Sequence, residues 1–276
     1  MKSIVFLDLD GTLWNNEDIP PSALAAIEKA MANGHLVFTN TGRSRDAAYD
    51  GIKDLPLSGQ VYSSGSEIWL DGRRIFFAPL GMERTKRLIK ELGDMNIGIC
   101  SEGSEKTFCN AKAKAAVAST GLKVNEDDDE DYFDFSRVPE LEEMTDEDFA
   151  DSMKLSLVDL LPGSADKLFE EENMVFTPFG MQDEDELLNG EITRRDITKG
   201  TAFQIIQDYL HERFRSIAFG DSENDLPMFE KADLAIAMGN GTPKTKAAAD
   251  YVTDSLFNDG LYKAFEYLGL LENRPD

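Results

Sequence analysis

The sequence predicts an α/β fold built on a doubly wound, Rossmann-like parallel sheet, and three observations carry that expectation. A continuous apolar run, Ile4 to Leu7, is followed by a helical stripe and then by a second apolar run, Leu36 to Thr39. The same strand, helix, strand order returns between Ala202 and Thr253. Such alternation marks parallel strands joined by crossover helices. Length is the third observation: 276 residues is near twice the usual domain of about 100–150, so two domains are expected.

Each element follows from its pattern. Ile4 to Leu7 reads as a buried strand, and Leu24, Ile27 and Met31 line one face of a helix that Pro20-Pro21 opens and Asn33-Gly34 closes. After the strand Leu36 to Thr39, Gly42 opens a polar-apolar segment, expected to be helical, through Ile52. Near the C-terminus, Ala202, Ile205, Ile206 and Tyr209 stripe a helix, and Ser216 to Phe219, Leu234 to Met238 and Tyr251 to Thr253 read as strands, with Met228 and Phe229 on a short helix between. The middle of the chain alternates too: a helix with Leu88, Ile89 and Leu92, a strand at Ile97 to Cys100, a helix at Ala111 to Ala118, a strand at Lys154 to Val158 and a helix from Ser164. Breaks at Pro79 to Met82 and at Asn189 to Glu191 suggest that 83–187 is an inserted α/β lobe hinged on two linkers.

Charge excludes several functions. With 53 Asp and Glu against 28 Lys and Arg the formal net charge is −25, which repels nucleic acid and anionic lipid alike. Fourteen acids and one base fall between Glu126 and Asp151, a block expected to face solvent on the outside of the inserted lobe. Asp127, Asp129 and Asp131 alternate as in a calcium loop, but the Gly and Glu such a loop requires do not follow. Lys106, Lys112 and Lys114 could balance that block or face a substrate. Two histidines without metal spacing speak against histidine-based zinc or triad chemistry. Cys100 and Cys109 are too few for a disulfide framework and are expected to be plain packing residues. No secretory or membrane-spanning run opens the sequence, so a cytoplasmic protein is expected.

The chemistry concentrates at strand ends. Asp8-Leu9-Asp10-Gly11-Thr12 follows the first strand, so Asp8 and Asp10, two apart, can face the same way at its carboxyl end, where open α/β sheets bind ligands. Gly220-Asp221-Ser222-Glu223-Asn224-Asp225 follows a later strand, with Asp221 at its end and Asp225 on the next turn. Four carboxylates on adjacent strand ends call for a hard cation, and Mg2+ fits oxygen ligands shared with water and phosphate. Asp221 or Ser222 could equally cap the following helix. Thr41 and Gly42 close the second strand where a hydroxyl and backbone N–H groups can hold an anion. Lys199 stands just before a helix, a position unfavourable for a cation unless an anion faces it.

In combination these segments resemble the haloacid dehalogenase superfamily of phosphohydrolases, and most closely its Cof-type sugar phosphatases with a IIB cap. The resemblance runs through DLDGTL at Asp8, TGR at Thr41, DITKG at Asp196, GDSENDLPM at Gly220 and MGNGTPKTKAAADYVTDS at Met238, and so covers nearly the whole chain. It implies a hydrolase core at 1–82 and 188–276 and a cap at 83–187 that selects the substrate. It further implies an Asp8 nucleophile forming an aspartyl-phosphate and an Asp10 general acid and base. Mg2+ would be held by Asp8, the Asp10 carbonyl, Asp221 and Asp225, and the phosphoryl group by Leu9 and Asp10 N–H groups, Thr41, Gly42, Lys199 and Asn224. An NGA-like turn common in the family is replaced here by Ser63-Ser64-Gly65-Ser66.

The expected partner is a small phosphorylated metabolite, with sugar phosphates foremost. A phosphosugar mutase of the same superfamily is the alternative, although it would carry a longer Gly-rich insertion than GDSEND offers; a non-catalytic sugar-phosphate sensor is another. The sequence has no GxxxxGK[ST] P-loop, and Gly239-Asn240-Gly241 fails as a dinucleotide fingerprint because Lys244 stands where the third Gly belongs.

Overall fold

The computed structural model describes residues 2–15, 18–48, 50–119, 137–179 and 187–272. Along the chain come β1 (Ser3–Leu7), α1 (Pro21–Ala32), β2 (Leu36–Asn40), α2 (Asp50–Lys53), β3 (Gly59–Tyr62), β4 (Glu67–Leu70) and β5 (Arg73–Phe77). Next are α3 (Met82–Asp94), β6 (Gly98–Glu102), β7 (Thr107–Cys109), α4 (Ala111–Ser119), α5 (Asp146–Asp151), β8 (Lys154–Leu160), α6 (Asp166–Glu171), β9 (Met174–Pro178) and β10 (Leu188–Arg194). The chain ends with α7 (Thr201–Leu210), β11 (Arg215–Gly220), α8 (Leu226–Phe229), β12 (Leu234–Ala237), α9 (Pro243–Ala248), β13 (Tyr251–Val252) and α10 (Gly260–Tyr267). By their contacts these elements form two units, Met1–Gly42 with Lys53–Phe77 and Ile197–Asp276, and Arg43–Ile52 with Ala78–Asp196.

The first unit is an eight-stranded sheet in the order β13-β12-β11-β1-β2-β3-β4-β5. Every residue of β1 is buried, as its unbroken apolar run requires of a strand covered on both faces. β11 and β2 flank it in parallel. On one face Phe6 packs on Phe38 and on Phe203 of α7, with ring centroids 5.3 and 4.0 Å away. On the other, Phe219 meets Phe265 of α10 at 5.4 Å, and α10 lies against α1. Helices on both faces are what a doubly wound sheet needs.

Beyond β3 the sheet departs from the all-parallel expectation, because β4 and β5 add as an antiparallel hairpin. Asp71 and Gly72 form its two-residue turn with φ of +47° and +71°, the I′ geometry that matches strand twist. The segment from Gly42 is not the expected long helix: among its described residues only Asp50–Lys53 is helical. Ser44 Oγ accepts from Ala47 N–H, and Arg43 donates to the Ala47 carbonyl, so side chains satisfy backbone groups that a helix would otherwise pair.

The second unit is a five-stranded antiparallel sheet, β7-β6-β8-β10-β9. Alternation divides its faces. Ile99, Leu155, Leu157 and Ile192 join Leu88 and Leu92 of α3 and Leu168 and Phe169 of α6 in an apolar core. The intervening positions are polar: buried Lys154 bonds Glu191 at 2.7 Å and Glu102 at 3.3 Å, and Glu102 also accepts from Ser156 and Ser44.

Two expectations fail in this unit. Asn189 to Glu191 is no linker, since β10 continues through it, paired with both β8 and β9, with a register shift against β8 between Leu188 and Gly190. Gly190 serves close approach rather than a turn: a Cβ there would lie 2.4 Å from the Thr177 carbonyl and 2.6 Å from the Phe176 ring. Residues 188–196 therefore share contacts with the inserted lobe. Nor are Cys100 and Cys109 plain packing residues; they stand opposite each other on β6 and β7 and form a disulfide. The reversal between the two strands brings together residues whose spacing in sequence gives no sign of it.

The described half of the acidic block has a local rationale. Glu140 and Glu143, and Thr145 and Asp148, form two successive capping boxes, and Asp146, Glu147 and Asp148 occupy the first turn of α5. Lys114 and Lys106 pair with Glu140 and Asp148, while Lys112 pairs with Asp159. The rest of the block from Glu126, including the alternating Asp127, Asp129 and Asp131, lies outside the described residues. Among the described residues no helix is long and apolar enough to cross a membrane.

Candidate active site

Three neighbouring parallel strands, β11, β1 and β2, end in Asp221, Asp8 and Thr41, so sheet order alone gathers residues more than two hundred positions apart. Asp8 N–H continues the ladder to the Phe219 carbonyl at 2.9 Å, and Thr41 N–H to that of Val61 at 3.0 Å. Both residues are buried.

Between the strand ends sits Lys199, 1 % exposed, whose Nζ donates to Asp8 Oδ1 at 2.5 Å and to Asp225 Oδ1 at 2.7 Å. The anion that the sequence position demanded is thus two carboxylates. Burial alone would lower the lysine's pKa, but Asp225 and Asp8 outweigh it and hold the pKa above the ordinary value. Asn40 Nδ2 donates to the Lys199 carbonyl at 2.9 Å and fixes the backbone behind the ammonium. Asp225 is held from the other side, its Oδ2 accepting from the N–H groups of Asp221 and Ser222 at 2.9 and 3.1 Å. Capping and site-building are therefore one structure here, the Asp225 carboxylate closing a capping box with Ser222.

Asp8, Asp221 and Asp225 each place a carboxylate oxygen within 4.8 Å of the other two. Desolvation first, and then Asp225, push the Asp8 carboxyl well above its ordinary pKa despite Lys199. The same two causes raise Asp221 to about 7. Asp221 Oδ1 is buried and takes no hydrogen bond among the described residues. An all-oxygen donor set with excess negative charge and an unsatisfied lone pair fits a hard divalent cation.

The loop after β1 is shaped around this cluster. Gly11 has φ of +80°, and a Cβ on it would lie 2.4 Å from Asp221 Oδ2, so both backbone and space demand glycine. The Asp10 side chain stands outside the three-carboxylate group, half-buried. Leu9 is fully buried. Asn224 is exposed, with its Oδ1 accepting from Ser222 Oγ at 2.7 Å. Gly42 is half-buried, directly after Thr41. The Ser63-Ser64 turn, left-handed at φ of +47° and +55°, backs Thr41: Ser64 N–H donates to the Thr41 carbonyl at 2.9 Å. Two non-glycine residues held in that region cost about 1–2 kcal/mol each, strain of the kind that gathers at functional sites.

Sequence reasoning passed over Asn40 and Asn240. Asn240 bonds the Gly11 carbonyl, 229 positions away. The glycines flanking Asn240 were the available signal, since a polar residue between two glycines marks a backbone in close contact.

Residues 5–265 match the haloacid dehalogenase-like hydrolase family. The chain belongs to that family. It is an enzyme, a phosphatase. Among curated relatives, the 5-amino-6-(5-phospho-D-ribitylamino)uracil phosphatase YcsE of Bacillus subtilis is 24 % identical over 268 residues, covering 96 % of this chain and 94 % of that protein. A haloalkanoate-superfamily phosphatase from Bacteroides thetaiotaomicron shares the fold with a TM-score of 0.79 at 23 % identity, over 98 % of this chain and 96 % of that one. So does a subclass IIB sugar phosphatase, with a TM-score of 0.76 at 20 % identity over 98 % of this chain and all of that one.

Proposed function

We propose that the protein hydrolyses phosphate monoesters of small sugars in two steps through an aspartyl-phosphate on Asp8, with Mg2+ as cofactor. The observation that supports this reading is the cluster of buried Asp8, Lys199 and Asp225 with half-buried Asp221 at the carboxyl ends of β1 and β11. Asp8, Asp221, Asp225 and the Asp10 carbonyl would hold the cation, which when bound neutralises the carboxylates and the charge developing on the phosphoryl oxygens.

In the first step an Asp8 carboxylate oxygen attacks phosphorus in line while the ester oxygen departs with a proton from Asp10. In the second, Asp10 takes a proton from water, whose oxygen attacks the acyl phosphate and frees Asp8 and inorganic phosphate. Lys199 orients Asp8 and opposes the rise in its pKa, the bound cation would complete its ionisation, and with Thr41, Asn224 and the N–H groups of Leu9, Asp10 and Gly42 the lysine meets the equatorial oxygens. The inserted α/β lobe, 83–187 with its flanking residues, selects the leaving group. Its hinge lies at Pro79 to Met82, where Gly81 has φ of +91°. The neighbouring structure named a sugar phosphatase supports sugar phosphates as the first class to try.

A panel of phosphate esters ranked by kcat/KM with and without Mg2+ tests the reading. Asp8→Asn should abolish phosphate release while leaving the fold unchanged, because an amide is a poor nucleophile and a poor cation ligand. Activity of that variant within tenfold of wild type would dismiss Asp8 as nucleophile.

A further inference from the structure

The segment Gly239-Asn240-Gly241-Thr242 fits no nucleotide fingerprint and has no part in the chemistry above, yet it touches both halves of the site. Thr242 N–H donates to the Asp221 carbonyl at 2.8 Å. Asn240 Nδ2 donates to the Gly11 carbonyl at 2.7 Å, and its Oδ1 accepts from Leu256 N–H at 3.0 Å. Those two partners fix which end of the amide is which, because a backbone carbonyl only accepts and a backbone N–H only donates.

We propose that Asn240 is a positioning residue that pins the Gly11–Thr12 peptide and so holds the Asp10 carboxyl in place for the leaving group. This inference rests on the reading of Asp10 as general acid. The peptide on the other side of Gly11 is already tied, its N–H donating to the Trp14 carbonyl at 2.7 Å, and the Gly11–Thr12 peptide makes a longer bond from Thr12 N–H to the Leu9 carbonyl at 3.3 Å, which leaves the Gly11 carbonyl to Asn240. Gly11 cannot be exchanged for a stiffer residue without displacing Asp221, whose carboxylate occupies the space of a Cβ. Glycine's backbone freedom at the centre of the loop must therefore be removed by a tether instead. Asn240 supplies that tether from a segment anchored to Leu256 and, through Thr242, to Asp221. A carboxyl displaced by about 1 Å from a departing oxygen can lose about a hundredfold in rate.

The test measures kcat and KM with Mg2+ for a series of aryl and alkyl phosphates of graded leaving-group pKa. Asn240→Asp is isosteric, keeps the acceptor for Leu256 and turns an oxygen toward the Gly11 carbonyl; Asn240→Ala removes both bonds without adding charge. Both variants should lose about ten- to hundredfold in kcat on alkyl phosphates, less than about threefold on nitrophenyl phosphate, and change KM by less than about threefold. Asn240→Asp should melt near wild type, so it decides the matter if Asn240→Ala is unstable. Asp10→Asn, run in parallel, separates the two claims. Equal losses on all esters in Asp10→Asn would remove the acid role itself. Discrimination by Asp10→Asn, but uniform or absent losses in the Asn240 variants, would overturn the positioning role alone.

Discussion

Replacing Gly11 with alanine perturbs the site by a single methyl group whose cost divides into two parts. A non-glycine residue at φ of +80° pays about 1–2 kcal/mol of backbone strain. The added Cβ would also stand 2.4 Å from Asp221 Oδ2 and 2.8 Å from its Cγ, too close to remain. Because the obstacle is a side chain rather than backbone, Asp221 turns aside and the fold survives, at a total cost of about 1–3 kcal/mol. At about 2–4 °C per kcal/mol for a chain of this size, the melting temperature should fall by a few degrees to about ten. Catalysis should suffer far more, because the displaced carboxylate leaves the three-carboxylate cluster. We expect kcat/KM on an aryl phosphate to drop at least about a hundredfold, with half-saturation by Mg2+ shifted upward. Gly72→Ala is the matched control: its φ is +71° but a Cβ there meets nothing within 4 Å. It should show a similar loss of stability with unchanged kinetics. Gly11→Ala activity within about threefold of wild type, or an equal kinetic loss in Gly72→Ala, would refute the argument that Gly11 is required by Asp221.

Two more outcomes follow from the structure. Reducing the disulfide, or replacing both cysteines by serine, opens a loop closed across nine residues and should cost the inserted lobe roughly 2.5–3 kcal/mol, read as an earlier unfolding transition under dithiol; an unchanged transition would show that the bond contributes nothing. Thiol alkylation of freshly isolated protein would also report the compartment, since such bonds are rare where thiols are kept reduced. The Asp233 carboxyl is held below its ordinary pKa chiefly by Ser216 N–H, so its stabilising effect is present above the unfolded value and is lost as pH falls through the folded one. Asp233→Asn should therefore flatten the decline of stability below about pH 4, and an unaltered acid limb in a pH series of melting curves would count against it.

What the sequence disclosed was local. A four-residue apolar run followed by Asp8 shows both a buried strand and a carboxylate at its end, and the same holds at Asp221, so the core and the carboxylates of the site were readable without coordinates. Lys199 was half readable: its awkward place before a helix implied an anion, but not which one. Contacts across the chain left no local trace, and the Asn240 bond to Gly11 and the Cys100–Cys109 bond are of that kind. Glycine caused the clearest misreading. At Asp71-Gly72 it marks a true turn that was passed over, whereas at Asn189-Gly190 the same kind of pair sits inside a strand because a neighbouring ring needs the room. Composition cannot separate a glycine used for its dihedral freedom from one used for its lack of bulk.

The buried ion network on the antiparallel sheet constrains how this lobe can change. Lys154 lies between Glu102 and Glu191, and all three are almost wholly buried. Loss of the lysine alone would leave two carboxylates facing each other without a counter-charge, at a cost of about 3–5 kcal/mol, whereas an apolar trio of similar volume would be tolerated. The three positions can thus drift only together. Any lineage moving from the charged arrangement to the apolar one must cross a destabilised intermediate, so drift in the lobe's sequence is channelled toward residues outside this trio.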